Sequence, residues 1–130
     1  MNVMKMLCTL ILIALFAAGC RQLLNREKVK DFAAGTFVSS WQTEYSQSRD
    51  TIQIEPSASE GSEVFLIVRR TLTEYAGNEK KRSPSYKIAK WTGVYMSESK
   101  TITIRNNGRI LSFNPSEGSM TMGVTVYKKL

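Results

Sequence analysis

Few residues of this chain have the type and spacing that enzyme chemistry needs. Ser97 and Lys100 form a Ser-x-x-Lys pair of the kind used for serine acyl transfer, but they lie in a predicted turn and the usual partner motifs are missing. Glu55, Glu60 and Glu63 suggest paired carboxylates or a calcium site, yet they flank a polar loop without calcium-loop spacing. The chain has no histidine, the commonest general base and metal ligand. We therefore expect a non-enzymatic protein without catalytic residues, bound metal or cofactor.

The residue with the clearest chemical assignment is Cys20. Lys5 precedes an apolar run, residues 7–18, which ends in small residues. This order is typical of a secretory signal peptide. The run is shorter than the roughly 20 residues that a membrane-spanning helix needs. Residues 17–20, Ala-Ala-Gly-Cys, resemble the bacterial lipobox, in which the cysteine thiol takes a diacylglyceryl group.

We accordingly predict a signal peptide over residues 1–19 and a mature chain that begins with lipidated Cys20. Its acyl chains would hold the protein at a membrane, since each buried CH₂ contributes roughly 0.8 kcal/mol. Arg21 occupies the next position, where aspartate often retains a lipoprotein in the inner membrane of Gram-negative bacteria. The expected location is therefore the cell envelope, on the periplasmic or surface side of the outer membrane.

Without the signal peptide, 111 residues remain, enough for one domain. Both cysteines are accounted for, because Cys8 lies in the signal peptide and Cys20 would carry lipid. The loss of Lys5 leaves 17 basic and 11 acidic residues, a formal charge of +6.

Two basic groups account for much of this charge. The first follows the anchor, where anionic lipid head groups would be close, and comprises Arg21, Arg26, Lys28 and Lys30. The second begins in a predicted loop and comprises Lys80, Lys81, Arg82, Lys87 and Lys90. A solvated face and a docking patch for an acidic envelope protein are both compatible with the second group, whereas nucleic acid is the least favoured partner.

The pattern of apolar residues changes at Gly35. Residues 20–34 form a predicted lipidated tether with a short amphipathic helix near Phe32, which Gly35 would end. Residues 35–130 alternate with the period of two that is typical of β-strands, and turn residues interrupt them repeatedly. We predict a mostly β domain of about seven or eight antiparallel strands in an up-and-down meander. It would form a small lipocalin-like barrel, complete or incomplete.

Two local patterns give finer predictions. Asn107-Gly108 predicts a type I′ hairpin turn, which would pair Ile104 with Leu111 and Ile102 with Phe113. After a turn at residues 115–118, one final strand would carry Met120, Met122, Val124 and Val126 on one face and Tyr127 on the other.

Aromatic and apolar residues of the strands could line a ligand cavity or simply fill the barrel. The candidates for a ligand-lining role are Phe65, Trp91, Tyr95 and Met122. Gly93 lies between two of these aromatics, and glycine at such a position commonly relieves crowding in a curved sheet.

Several strand and turn motifs resemble a family of small Bacteroidetes lipoproteins classed as a domain of unknown function, some of which are encoded on conjugative transposons. The resemblance rests on residues 35–39 (GTFVS), 86–87 (YK), 90–95 (KWTGVY), 109–115 (RILSFNP) and 127–130 (YKKL). It implies a barrel that is lipocalin-like in outline and a role in the envelope, around conjugation. It supplies no active-site residues.

The leading functional expectation is a membrane-anchored envelope lipoprotein whose β-domain is a non-catalytic binding or accessory module. The alternative is a lipocalin-like carrier of a small apolar ligand inside the barrel. An envelope hydrolase using lysine or carboxylates ranks far below both.

Overall fold

The computed structural model describes residues 2–4, 28–77 and 81–130. Cys20, Lys80 and most of the predicted signal peptide and tether therefore lie outside the described residues. Residues 28–33 are helical and form the helix α1, which agrees with the helix predicted near Phe32. None of the helices in the described ranges is long and apolar enough to cross a membrane.

Eight β-strands follow α1 and account for most of the described chain. They are β1 (Gly35–Gln42), β2 (Ser46–Pro56), β3 (Val64–Tyr75), β4 (Ser85–Met96), β5 (Thr101–Ile104), β6 (Ile110–Asn114), β7 (Ser119–Met122) and β8 (Thr125–Lys129).

Each strand pairs with the next in an antiparallel meander, and the sheet closes on itself. Closure depends on pairing between β1 and β8, in which Phe37 lies opposite Lys129 and Val38 opposite Lys128. The backbone N–H of Leu130 also donates to the carbonyl of Thr36 at 2.9 Å. The predicted mostly β, up-and-down, lipocalin-like barrel is confirmed, and of the two alternatives it is the closed one.

The strands differ greatly in length, and this shapes the two ends of the barrel. The strands β2, β3 and β4 have 11, 12 and 12 residues, whereas β5 to β8 have four or five each. We call one end the helix end, which carries α1 and the connections at residues 57–63, 97–100 and 115–118. The opposite end, the open end, carries residues 43–45, 76–77, 81–84, 105–109 and 123–124. There the long strands extend beyond the short ones.

The inward side chains fill the barrel with apolar groups. Those with no more than 1% of their surface exposed are Phe37, Ile52, Ile54, Phe65, Ile67, Ile102, Ile104, Leu111, Met120 and Tyr127. Gly93 lies among them because a side chain there has no room. A Cβ atom at this position would overlap Ile102 Cγ2 and lie 2.9 Å from Ile67 Cδ1, so the predicted relief of crowding is confirmed.

The helix α1 covers the helix end through aromatic contacts. The ring centroid of Phe32 lies 5.6 Å from that of Phe37 and 6.4 Å from that of Phe113. The Lys129 ammonium donates a 2.8 Å hydrogen bond to the carbonyl of Phe32 and lies 4.5 Å from its ring centroid. A cation at a helix C-terminus satisfies a carbonyl that would otherwise lack a partner.

The predicted pairing of the β5–β6 hairpin was wrong by two residues. Ile102 pairs with Leu111, and the Ile104 N–H donates to the carbonyl of Arg109 at 2.8 Å. A type I′ turn needs positive φ at both central residues, but only Gly108 has one, at 69°. The loop is therefore longer, and the Asn107 side chain accepts from the Arg109 N–H. A shift of two residues preserves the inward faces, since side chains alternate with a period of two.

The predicted single final strand is in fact a hairpin. Met122 pairs with Thr125 across a two-residue turn, in which Gly123 has a φ of 61° and Val124 is fully exposed. The turn brings Tyr127 to the inside of the barrel, opposite Met120, and leaves Val126 facing outward.

Candidate functional site

The most unusual interior residue is Asp50 on β2, a carboxylate with 0% exposure near the open end. Arg69 on β3 binds it with two nitrogens: Nε lies 3.1 Å from Oδ1 and 2.9 Å from Oδ2, and Nη2 lies 2.8 Å from Oδ2. The Arg69 side chain keeps 25% of its surface exposed. The pair thus runs from the barrel interior to the solvent.

Two hydroxyl groups complete the coordination of this carboxylate. Thr71 Oγ1 donates to Asp50 Oδ1 at 3.1 Å, and the Tyr127 hydroxyl donates to Oδ2 at 2.6 Å. Burying a charge is costly unless it is paired and hydrogen-bonded, and here both carboxylate oxygens are satisfied. The network fixes the position of Arg69.

The network also fixes the protonation of Tyr127 and Arg69. Burial is the main cause that raises the pKa of the Tyr127 phenol well above its usual range, and the hydrogen bond to Asp50 is the second. The hydrogen bond to Asp50 raises the pKa of Arg69, although burial opposes this effect. Tyr127 therefore stays a neutral donor and Arg69 a cation.

On the solvent side of this network, the guanidinium groups of Arg69 and Arg109 both lie near the ring of Trp91. Arg69 Cζ lies 5.9 Å from the ring centroid, and Arg109 Cζ lies 5.6 Å from it. Cations are attracted to the electron-rich face of an aromatic ring. Among the described residues, the Arg109 side chain has no hydrogen-bond or ion-pair partner, so its charge is available to a ligand.

Two open clefts flank Arg69 at this end of the barrel. The first, the Arg109 cleft, has a volume of about 540 Å³ and is lined by Arg69, Gly108, Arg109, Ile110, Met122, Gly123, Val124 and Thr125. The second, the Lys87 cleft, has a volume of about 430 Å³ and is lined by Arg69, Thr71, Lys87, Ile88 and Ala89. Asp50 offsets one of the three cations, and the site keeps a net charge of +2.

The four residues predicted to line a ligand cavity separate into two pairs. Phe65 and Tyr95 are buried in the core, with ring centroids 6.5 Å apart. Trp91 and Met122 lie at the open end, where Trp91 contacts both arginines and Met122 lines the Arg109 cleft.

The predicted basic patch is divided by the pleat of β4. Lys87 pairs with Thr71 and so shares its inward face, whereas Lys90 pairs with Val68 on the outer face. Lys81 and Arg82 are exposed in the connection before β4, and the Arg82 guanidinium lies 4.4 Å from the ring centroid of Tyr75. Of the described members of the patch, only Lys87 lines the site.

The serine, lysine and glutamate residues considered for catalysis do not come together in one site. Ser97 and Lys100 are exposed in the turn between β4 and β5. Glu63 forms a 2.8 Å ion pair with Lys30. Glu60 forms an ion pair with Arg105 at 3.3 Å, and Glu55 accepts a 2.8 Å hydrogen bond from the Gln53 side chain. Within the described ranges, no three acidic or cysteine residues are grouped so that they could hold a metal ion.

Sequence reasoning missed four residues of the site: Asp50, Arg69, Arg109 and Tyr127. A signal for Asp50 was present, since it shares the inward face of β2 with Ile52 and Ile54. A charged residue on an apolar strand face implies a buried partner. The partner itself was not visible, because Arg69 and Tyr127 lie on other strands.

A scan of protein-family models finds no match to this chain, and neither does a search of curated proteins or of solved structures. Its function is therefore inferred from the open end itself.

Proposed function

We propose that this protein is a lipid-anchored binding module of the cell envelope and that its ligand site is the open end of the barrel. Cys20 would carry the lipid, as its position after the apolar run suggests. The β-domain would act without catalysis and hold an anionic partner at the two clefts beside Arg69.

The position of α1 supports an outward orientation of this site. Seven residues separate Cys20 from Lys28, the first residue of α1, so the tether would join the barrel at the helix end. The eight steps from Cys20 to Lys28 span at most about 28 Å when the chain is extended. The open end then lies on the far side of the barrel from the membrane, where a partner can reach it.

The observation that carries the proposal is the arrangement of Arg69, Trp91 and Arg109, in which the network holds Arg69 in place. Asp50 binds Arg69 and is itself held by the Tyr127 hydroxyl, and Trp91 provides a surface for both guanidinium groups. Such preorganisation reduces the entropy cost of binding. Guanidinium groups are also suited to carboxylates, which they bind through two hydrogen bonds.

The charge states of the buried groups favour binding over catalysis. Tyr127 holds its proton because its pKa is raised, and Asp50 is occupied by donors from three residues. The Tyr127 phenol is therefore not suited to act as a base at neutral pH, and the oxygens of Asp50 are not open to a substrate. The remaining polar groups around the clefts are arginine, lysine and threonine.

The alternative of an apolar-ligand carrier would need space inside the barrel. The interior side chains of the described strands contact one another, and Phe65 is 1% exposed. The proposal therefore places the ligand at the mouth, where Met122 and Val124 add apolar surface next to Arg109.

Site-specific photocrosslinking in intact cells tests this proposal. A photoreactive amino acid at Val124, which is fully exposed beside the Arg109 cleft, should capture a distinct envelope component. The matched control is the same amino acid at Glu117, which is exposed in the turn at the helix end. Arg109→Glu should abolish the product at position 124. Equal products at both positions, unaffected by Arg109→Glu, would contradict the proposal.

A further inference from the structure

The strand β4 has an open edge beside the candidate site. It pairs with β3 from Ser85 to Val94, but β5 covers only Gly93 to Met96. No described strand pairs with the other edge of residues 85–91. Backbone groups on such an edge can accept an additional strand.

The pairing pattern identifies the backbone groups that face this edge. Thr92 accepts a 2.9 Å hydrogen bond from the Arg105 N–H on the β5 side, whereas the Tyr95 N–H donates in the other direction, to the Glu63 carbonyl at 2.7 Å. Alternate residues of a strand direct their N–H and C=O groups to the same side. Tyr86, Ile88 and Lys90 therefore direct theirs toward the open edge.

The charges around this edge are basic. Lys87 projects from β4 itself, and Arg69 and Arg109 lie around the adjoining clefts. At the open end, β1 also extends beyond its partner β8, which pairs only with Phe37 and Val38. Residues 39–42 of β1 carry no charge. Charge therefore distinguishes the edge of β4 from that of β1 as a site for an acidic partner.

We propose that an extended acidic segment of a partner polypeptide adds to the open edge of β4 as a further strand. This inference rests on the proposed function and names its ligand class. Residues on one face of a strand repeat every second position, roughly 6.6 Å apart. Acidic side chains at alternate positions of the segment would then face Lys87, Arg69 and Arg109. Main-chain hydrogen bonds to Ile88 and its neighbours would supply affinity.

The geometry of the clefts fits an extended ligand. Arg69 separates them, and each contains its own additional cation, Lys87 in one and Arg109 in the other. Both clefts are open to solvent. A single small anion would meet one cation pair, whereas a strand along β4 passes both clefts.

Binding of a defined peptide to the full chain, purified from membranes in detergent, tests the proposal. The probe is a labelled seven-residue peptide with alternating glutamate and threonine, blocked at both ends, and fluorescence anisotropy at low salt measures its affinity. Two N-methylated versions remove the N–H groups of either the glutamates or the threonines. Because only alternate N–H groups of a strand face β4, one version should lose binding at least about tenfold more than the other.

Three protein variants separate the contributions of backbone and charge. Ile88→Pro removes an N–H that faces the open edge and spares the pairing with β3, so it should weaken binding at least about tenfold while the melting temperature stays close to that of the parent. Lys87→Glu should weaken binding about tenfold because it reverses a contacting charge. The control Lys128→Glu reverses an exposed charge on β8 and should change affinity less than about twofold.

Other results would overturn the inference. Equal losses from the two N-methylated peptides, with full binding to Ile88→Pro, would mean that charge alone holds the peptide; the proposed function would survive that result. Concentration-dependent dimers that Ile88→Pro abolishes would identify a second copy of the chain as the occupant. Self-association caused by Lys87→Glu, without any peptide binding to the parent protein, would mean that the lysine only protects the edge.

Discussion

The hydroxyl of Tyr127 lies 2.6 Å from Oδ2 of Asp50, although the two residues are 77 positions apart in the chain. The bond joins β8 to β2, the two strands that flank β1 in the closed barrel. It joins the last strand to the carboxylate that orients Arg69. The closure of the barrel and the geometry of the candidate site therefore depend on one hydrogen-bond network, and its members can be tested individually.

Asp50→Ala should destabilise the fold strongly. The change leaves the Arg69 guanidinium and the Tyr127 hydroxyl without their shared acceptor. Removing one partner of a buried ion pair costs about 3–5 kcal/mol, and the partial exposure of Arg69 favours the lower limit. Urea denaturation measures the change in the free energy of unfolding. Asp31→Ala, at an exposed position of α1, is the control and should change it by less than about 0.5 kcal/mol.

Tyr127→Phe should change the dependence of stability on pH. In the unfolded chain a tyrosine loses its proton near pH 10, whereas the raised pKa keeps Tyr127 protonated in the fold. The stability of the parent protein should therefore contain a contribution that is complete below pH 10 and is lost above it. At neutral pH the variant should be less stable by about 1–3 kcal/mol, since Asp50 loses a donor.

The measurement is the urea midpoint of both proteins at pH 7, 9 and 10.5. The difference in urea midpoint between the parent protein and Tyr127→Phe should become smaller only at the highest pH. A difference that stays constant over the whole series would contradict the assigned protonation of Tyr127.

Gly93→Ala should destabilise the barrel by about 1–3 kcal/mol through overpacking. The added methyl group would overlap Ile102 and press on Ile67 Cδ1. Ile67→Val removes that δ-carbon, so the double variant should recover part of the loss. A double-mutant cycle based on thermal unfolding measures this coupling. Strict additivity of the two changes would show that the contact with Ile67 does not limit the position.

Cys20→Ser should abolish lipidation and block signal removal after Gly19. The thiol is the proposed acceptor of the diacylglyceryl group, and serine does not replace it. Labelling of cells with radioactive palmitate, followed by electrophoresis, measures both the lipid and the size of the chain. Cys8→Ser, inside the predicted signal peptide, is the matched control and should leave labelling intact. Normal maturation of the Cys20 variant would contradict the lipoprotein assignment.

The sequence alone was sufficient to predict the class of fold. Alternation of apolar residues with a period of two, together with frequent turn residues, predicts an antiparallel meander, since such chains leave no room for helical crossovers. The role of Gly93 was also predictable, because it lies between two large aromatic residues of one strand. These are local properties, and they determine which face of each strand turns inward.

Register and closure required the tertiary structure. The turn at Asn107-Gly108 admits loops of different length that keep the same inward faces, so the pattern does not distinguish between two pairings that differ by two residues. Likewise, Gly123 permits a tight turn but does not require one, and the turn decides that Tyr127 points inward.

The candidate site was likewise predictable from the sequence only in part. The sequence by itself determined that Asp50 falls on an apolar strand face and that Lys87 and Trp91 belong to one extended strand. Only the tertiary structure decided that Arg69 and Tyr127 meet at Asp50 and that Arg109 shares the ring of Trp91. The physical reason is that the Asp50–Tyr127 contact joins residues 77 positions apart and requires closure of the barrel, whereas the contacts of Arg69 and Arg109 depend on the exact register of neighbouring strands and on the length of the loop before β6.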